Sequence, residues 1–534
     1  MSTSYVCYDA VGNAAGWRLA LPPLSSARKN AHTQLNTTST RTDQYDGGHD
    51  VTMTILDTSV FYLEPPATIG VGFHNIGSGI LRAAHSTLIR KLEAQYGERC
   101  GHLPLNTEKV RIHVTSHKTD LHSHIAYLSA LFGKDIKAVT SAELRQEQQD
   151  LPPEATLVVP YINVPESERA IQTEMGGISW GLPSAMVTLM KNKANFYRLL
   201  DEYELPNFQT PDYRIAHIHT LPHESLRFLT DIEDIYAKAG MTNYPPGIML
   251  RTAESDGNFG SCLLYTYQHS VRLVPNGDGE LIQNYSNWPA ALEAAQSILL
   301  GTMDPEKETR VVMSRCIDFS DSPGMSVVIM DGQIETLRWN GQLQQEGSKA
   351  CVGTGNYQPK NETIARMQQS YEDQTIAYFE QLLRQTARHC GCDFSALRGV
   401  ANIDIMLPSP LEAQLQKNRG QQSTLYIAES NPRWTNYTDA ILNVIGANRQ
   451  QPTINAMRAT IQNRIQAVDK YYVPEQIDPQ QLRARIADKD EELKVSGTRI
   501  ICRMAKHPMG IIFAGDIERA QHELDAIVQR MLKH

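Results

Sequence analysis

The sequence predicts a multidomain protein of the α/β and α+β classes. A parallel α/β domain comes first, a larger α+β region follows, and a small α+β unit ends the chain. Three observations predict this. The chain has 534 residues, more than one core supports, so about three domains are expected. Short β-rich runs alternate with helical segments between residues 60 and 185, the pattern of a parallel sheet. Later β-rich runs come in adjacent pairs around turn residues, which is the mark of antiparallel hairpins.

Taken in order, residues 1–60 form a polar leader, partly irregular, rich in Ser, Thr, Asn and Gly. The N-terminal α/β domain is expected over 61–188. There A-T-I-G-V-G-F-H-N-I-G-S-G (67–79) followed by I-L-R-A-A-H-S-T-L-I-R-K-L-E reads as strand, glycine turn and amphipathic helix. K-V-R-I-H-V-T-S and T-L-V-V-P-Y-I-N (156–163) read as further strands. The central region is expected over 189–450, in two subdomains with a hinge near 311–320. It opens on a helix, N-K-A-N-F-Y-R-L-L-D-E-Y, stopped by Pro206. S-V-V-I-M-D-G-Q-I-E-T-L-R-W is a hairpin around Asp331-Gly332, a dipeptide that a type I′ turn favours. A long helix is expected over 361–390. A second hairpin is expected over 399–430, with a polar, mobile connection between its strands. From 451 to 534 a helical linker leads to a tail read as strand, turn, strand, helix from Gly497.

Bulk properties narrow the function classes. A formal charge of −9 argues against nucleic-acid binding, which needs a basic face to displace counterions. No apolar run approaches the roughly 18 residues that cross a bilayer, so no membrane span is expected. The first residues lack a basic start and long apolar stretch, and the 8 cysteines form no paired C-x-x-C units. Reduced thiols and a cytoplasmic location follow as expectations.

The residues that carry chemistry lie at 399–435, G-V-A-N-I-D-I-M-L followed by L-Y-I-A-E-S-N-P-R-W-T. Alternate residues of a strand share a face, so Glu429 and Asn431 point the same way, as does Arg433 if the strand continues. Asp404 on the paired strand can face them, while Ile403, Ile405 and Ile427 supply an apolar opposite face. Two carboxylates and an amide oxygen then converge, the ligation that hard divalent cations such as magnesium, or manganese in its place, require. Arg433 adds a guanidinium fork for a phosphate or carboxylate. The plain alternative is a strand with solvated acids.

This pattern resembles the ATP-grasp superfamily, which places an acidic residue on one strand and E-x-N-x-R on the next. The resemblance runs from about residue 65 to the end and implies the ATP-grasp fold, with ATP between two subdomains and the second substrate against the N-terminal domain. It implies metal ligation by Asp404, Glu429 and Asn431. Lys193 takes the place of the phosphate-binding lysine on the opening helix. Arg251 and the glycine-bearing loop with Gly257, Gly260 and Ser261 would meet the triphosphate. The family usually has lysine where this chain has Arg251. Where it often has a hinge glutamate, the chain offers Ser314 or Arg315, with adenine held by backbone at Arg315 and Ile317. Arg433 and Arg251 would be the catalytic charges.

The activity so implied is ATP-dependent carboxylate–amine ligation through an acyl phosphate, with amino acids or short peptides as substrates. Two other outcomes stay open: a carboxylase or phosphotransferase on the same fold, or a nucleotide-binding regulatory protein without turnover. A homodimer is common in such ligases, and the assembly stays open here.

Other signals weigh less. G-V-G-F-H-N-I-G does not have the G-x-G-x-x-G spacing of a dinucleotide turn. His113, His117, His122 and His124 fit no zinc spacing. Cys390-Gly-Cys392 reads as a helix end. Trp339, Asn340 and Gln342 either line the cleft or pack the hairpin. Gly353–Asn356 reads as a flexible segment on that side.

Overall fold

The computed structural model describes residues 67–75, 99, 106–115, 121–203, 208–242, 244–254, 260–275, 282–344, 351–421, 425–471, 473–504 and 509–533. The leader, the glycine turn and helix after Asn75, Gly257 and His117 lie outside them.

Strands β1 (Ile69–Phe73), β2 (Lys109–His113), β3 (Asp135–Val139), β4 (Thr156–Pro160) and β5 (Ile178–Ser179) form a parallel sheet in the order β3-β2-β1-β4-β5. β4 is buried throughout and β1 nearly so. Strands covered on both faces are continuous apolar runs, which is why these two stand out in the sequence. The strand order reverses between β1 and β4. There the Asn75 amide donates to the Ile162 carbonyl (2.7 Å) and accepts from the Ile162 N–H (3.2 Å).

After β6 (Phe208–Gln209), the second sheet uses β7 (Tyr213–His217), β8 (Gly247–Thr252), β9 (Ser261–Tyr267), β10 (Ser270–Pro275), β11 (Gln283–Tyr285) and β12 (Arg310–Arg315). Its order is β11-β10-β9-β8-β12-β7, antiparallel throughout. Helices Leu221–Lys238 and Trp288–Thr302 bury Phe228, Ile232, Leu292 and Leu299 against it.

The third sheet is built from β13 (Phe319–Asp321), β14 (Gly324–Met330), β15 (Gln333–Gln344), β16 (Cys351–Asn356), β17 (Gly399–Pro408), β18 (Leu425–Asn431), β19 (Ile465–Tyr471), β20 (Arg499–Cys502) and β21 (Met509–Ala514). It runs β20-β21-β19-β16-β15-β14-β17-β18-β6, with β13 on β17. The expected fold class is therefore observed: one parallel sheet and two largely antiparallel ones, each with its helices.

Turn and cap chemistry accounts for the joints. Asp331 and Gly332 both have positive φ (50° and 73°), the type I′ geometry. The Glu362–His389 helix starts where the Asn361 side chain accepts from the Ile364 N–H (3.0 Å). It ends at Gly391, φ 67°, with Cys392 N–H bonded to the Ala387 carbonyl and Gly391 N–H to that of Arg388. That is a Schellman end, so the cysteine pair serves helix termination.

Three expectations are corrected. The connection between β17 and β18 is a helix, Pro410–Asn418, not a mobile loop. Ser409 caps it, Pro410 opens it, and Glu412, Leu415 and Gln416 are buried. Gly353–Asn356 is no flexible segment but part of β16, an inner strand between β15 and β19. The tail is not a separate unit either: β19 pairs with β16 and β21, so its strands continue the third sheet. The Asn436–Ala447 helix, buried from Tyr437 onward, joins the tail, β1–β5 and the central sheet in one core.

Candidate active site

β17 and β18 bring the acids together by register. Asp404 lies opposite Glu429 and Asn402 opposite Asn431. Strict alternation would put Ile427 on the same face as Glu429. The register shifts by one between Glu429 and Ile427, leaving Ala428 as an extra residue, a β-bulge. The bulge lets Ile427 stay in the apolar core with Ile403 and Ile405 while Glu429 faces the cleft. β18 stops at Asn431, and Arg433 bends back so that its guanidinium donates to Asn431 Oδ1 (3.0 Å).

Positive side chains converge on Glu429 from two other elements. Lys193, at the start of the Lys193–Tyr203 helix, places Nζ 3.2 Å from Glu429 Oε2. Arg251, near the end of β8, lies 3.7 Å from the same oxygen. Burial alone would raise the Glu429 pKa; the charges of Lys193 and Arg251 reverse this and hold it at about 2. Asp404 behaves oppositely. Burial first, and then the facing Glu429 charge, push it up to about 7. The two adjacent carboxylates are thus shifted in opposite directions.

Asn402, Ser326 and Gly324, which the sequence reading did not single out, complete this pocket. Asn402 Nδ2 donates to Asp404 Oδ1 (2.8 Å), and Asn431 Nδ2 donates to Asp404 Oδ2 (3.0 Å). Ser326 Oγ lies 2.9 Å from Asn340 Oδ1 and 3.0 Å from Asn402 Oδ1. Gly324, opposite Asp404 on β14, leaves room for these groups: a Cβ there would come within 3.0 Å of Asp404 Oδ1. The signal was Pro323-Gly324 before an apolar strand, which reads first as a turn. Asn340 thus belongs to the site. Trp339 is buried in the central core, and Gln342 is exposed on β15.

The nucleotide candidates divide. Ser261 pairs with Arg251, and Gly260, φ 72°, accepts from the Thr252 N–H (2.9 Å), so the stem of the glycine loop is anchored beside Arg251. Ser314 is buried in β12 between β7 and β8. Ile317 is buried just beyond β12. Arg315 turns away from any cleft. Its guanidinium meets Glu412 (2.6 and 3.0 Å), Asp212 (2.9 Å) and the Tyr426 hydroxyl (3.1 Å), and its backbone N–H donates to the Asp212 carbonyl (2.8 Å). Neither that side chain nor that N–H is available to adenine.

At the reversal point of the parallel sheet, His74 follows β1, and among the described residues neither of its ring nitrogens has a hydrogen-bond partner. Its ring lies 4.4 Å from that of Tyr161, at the end of β4, and the Arg433 guanidinium lies 5.6 Å from the Tyr161 ring. The acid pair and the crevice at the ends of β1 and β4 therefore adjoin. His113 instead contacts Ser141 Oγ (2.9 Å) and the edge of Phe73, and His124 is buried in the Leu121–Phe132 helix. Among the described residues no group of three or more His, Cys, Asp or Glu forms a metal-binding cluster. The acid pair reaches a third ligand only through the Asn431 amide. Among them too, no helix is long and apolar enough to cross a membrane.

No family model matches the sequence, and no curated protein matches it. Among solved structures the chain is similar to N5-carboxyaminoimidazole synthase from Aspergillus clavatus, in complex with ADP and 5-aminoimidazole ribonucleotide. The identity is 12%, the coverage 87% of this chain and 99% of that one, and the TM-score 0.45. It is also similar to phosphoribosylamine–glycine ligase from Thermotoga maritima, at 13% identity, 78% and 96% coverage and TM-score 0.42. Biotin carboxylase from Campylobacter jejuni is a third such structure, at 9% identity, 84% and 87% coverage and TM-score 0.42.

Proposed function

We propose that the chain is an ATP-dependent ligase of the ATP-grasp kind, joining a carboxylate to an amine and releasing ADP and phosphate. The observation that carries this reading is the Asp404–Glu429 pair, with Lys193 and Arg251 both directed at Glu429. Facing carboxylates under burial repel one another, and a cation between them relieves the repulsion that lifts Asp404. The oxygens of Asp404, Glu429 and Asn431 are the hard donors that magnesium or manganese takes, the remaining positions being left to water and phosphate. Bound there, the ion would offset the charge of the transferring phosphoryl group.

The chain's own residues supply the rest. Lys193 and Arg251 would exchange Glu429 for nucleotide phosphate oxygens, which such basic groups bind well. Ligands of open α/β sheets sit where strand order reverses, so the crevice of His74 and Tyr161 would take the carboxylate and the amine. Burial holds His74 neutral, able to give one hydrogen bond and accept another. A carboxylate oxygen would attack the γ-phosphorus and displace ADP. The amine nitrogen would then attack the acyl carbon and displace phosphate. Arg433, between the two halves, would stabilise the negative charge of the acyl phosphate. Amino acids or short peptides are the substrates that reading favours.

The test is incubation with ATP, magnesium and a pool of amino acids, followed by ADP assay and mass spectrometry. An ATP-dependent mass equal to two pool members minus water supports ligation. A second reading, nucleotide binding without turnover, is favoured by the protein contacts that Arg251 already makes. A thermal shift with Mg-ATP and no ADP from any pool would select it. No shift with any nucleotide would sink both.

A further inference from the structure

Arg251 stands where a lysine is expected, and its guanidinium is held on two sides. One terminal nitrogen donates to the Ala428 carbonyl (3.1 Å), and the other donates to the Tyr197 hydroxyl (2.5 Å). Tyr197 in turn donates to the same Ala428 carbonyl (2.9 Å). Ala428 is the bulge residue, so its carbonyl lies where the β17–β18 ladder is interrupted. Two donors converge on the one peptide that determines where Glu429 points.

These contacts link three elements. Tyr197 lies in the Lys193–Tyr203 helix, one turn beyond Lys193. Arg251 belongs to β8 of the second sheet and Ala428 to β18 of the third. The Tyr197 ring is buried, stands edge-on to that of Tyr213 at 4.9 Å, and lies 5.6 Å from the Arg251 guanidinium. Among the described residues, the buried Arg251 Nε has no hydrogen-bond partner. The fork thus has one terminal nitrogen committed to each anchor.

A lysine could not reproduce this. An ammonium is a point charge on a flexible stem, whereas a guanidinium is a rigid plane whose N–H groups keep fixed directions. Held by Tyr197 and Ala428, the plane is fixed, and the nitrogen bonded to Ala428 also lies 3.7 Å from Glu429 Oε2. The arrangement explains how the chain uses arginine at this position.

We propose that Tyr197 is a positioning residue for the nucleotide–metal site: its hydroxyl locks the Arg251 guanidinium and the Ala428 bulge together, so that Arg251 and Glu429 are presented in fixed geometry. The inference rests on the nucleotide reading above. It requires the two side chains to act as a unit, so substitutions of them are not additive.

The test is a double-mutant cycle on Mg-ADP affinity, measured by calorimetry for the full chain, Tyr197→Phe, Arg251→Lys and the double variant. Tyr197→Phe should weaken binding about tenfold, the scale of one lost hydrogen bond to a charged group. In the Arg251→Lys background the same change should alter affinity less than about twofold. A merely structural tyrosine would lower the thermal midpoint and cost the same factor in both backgrounds, and that outcome overturns the proposal. Arg251→Lys alone gives a second arm: a lysine variant binding Mg-ADP as tightly as the arginine overturns it whatever Tyr197→Phe does. If the unmodified chain binds no nucleotide, the functional reading falls and takes this one with it. Binding without coupling removes this one alone.

Discussion

Two clusters of ionised side chains lie on either side of Tyr426–Glu429 in β18, and they are charged differently. In one, Arg315 and Arg419 face Asp212 and Glu412, two cations against two carboxylates. Arg315 and Glu412 are fully buried, and burial of Asp212 is outweighed by the two arginines, which hold it below the usual carboxylate range. In the other, Lys193, Arg251 and Arg433 gather around Glu429, while burial and the facing Glu429 push the Asp404 pKa up. Among the described residues the first cluster is balanced and the second is cationic. A balanced network satisfies itself and holds elements together. A cationic one with a raised carboxylate is completed by something outside the chain, and a metal-bearing polyphosphate has the matching charges.

The largest effect should come from breaking the balanced cluster. Arg315→Met leaves the Glu412 carboxylate buried with the Tyr426 hydroxyl (2.6 Å) as its remaining side-chain partner from that cluster. Removing one member of a buried pair costs about 3–5 kcal/mol, so urea denaturation should show a loss of that order. The Mg-ADP affinity of the folded variant should stay within about threefold. Lost affinity at unchanged stability would return Arg315 to the nucleotide site and undo the contrast.

Glu429→Gln makes the opposite cut. It keeps shape and removes the charge that Lys193 and Arg251 share and that the proposed metal would meet. ADP formation should fall roughly 100- to 1000-fold, the scale of removing one preorganised electrostatic group. The stability loss should be smaller than that of Arg315→Met. A glutamine variant with full turnover removes the metal assignment.

The two clusters also differ in how far the sequence discloses them. Asp404, Glu429 and Asn431 are legible because spacing along a strand is a geometric statement, and E-x-N-x-R places its members without knowledge of the fold. Even so, the one-residue bulge at Ala428 escapes any alternation argument, since only the neighbouring strand reveals that Ile427 and Glu429 face opposite ways. The inward turn of the Arg315 side chain is illegible for the converse reason. Its partners Asp212 and Glu412 are separated from it by 103 and 97 residues, and nothing local says that a hinge arginine turns inward. The Pro410–Asn418 helix that brings Glu412 to it was within reach. Ser409, Pro410 and Glu412 are an N-cap, a first-turn proline and a third-position acid. The N-terminal sheet, made of continuous apolar strands, was the easiest part to see.

A buried ionisable group outside both clusters extends the comparison. His124 is fully buried, neither ring nitrogen meets hydrogen-bond geometry among the described residues, and burial, with a smaller contribution from Arg483, lowers its pKa to about 3 against a weaker opposing effect of the Arg503 backbone. Its folded-state pKa thus lies below the unfolded value of about 6.5. Folding excludes the protonated form, so the stability from neutral His124 is complete above pH 6.5 and is lost as pH falls from 6.5 toward 3. From pH 7 to pH 5 this amounts to about 2 kcal/mol. Urea midpoints across that range should fall accordingly, and His124→Phe should flatten the slope by that amount. An unchanged slope would mean that the imidazole finds a partner when protonated.

The smallest expected effect tests the cationic cluster without touching a charge. Gly324→Ala would set a Cβ 2.8 Å from Asn340 Nδ2, 2.9 Å from Asn402 Oδ1 and 3.0 Å from Asp404 Oδ1. Real contacts are longer, so the Asn340 and Asn402 amides must shift and the Asp404 carboxylate give way by a few tenths of an ångström. Magnesium demands near-ideal octahedral geometry at about 2.0–2.1 Å, and a displacement of that size falls on the metal rather than on the fold. Mg-ADP affinity titrated against magnesium should need about tenfold more metal, whereas nucleotide binding without metal should be unchanged, because Lys193 and Arg251 lie on other elements. If both affinities fall together, Gly324 is acting through the fold of β14. If neither moves, Asp404 is not where the metal binds, and its raised pKa reflects burial and the facing Glu429 alone.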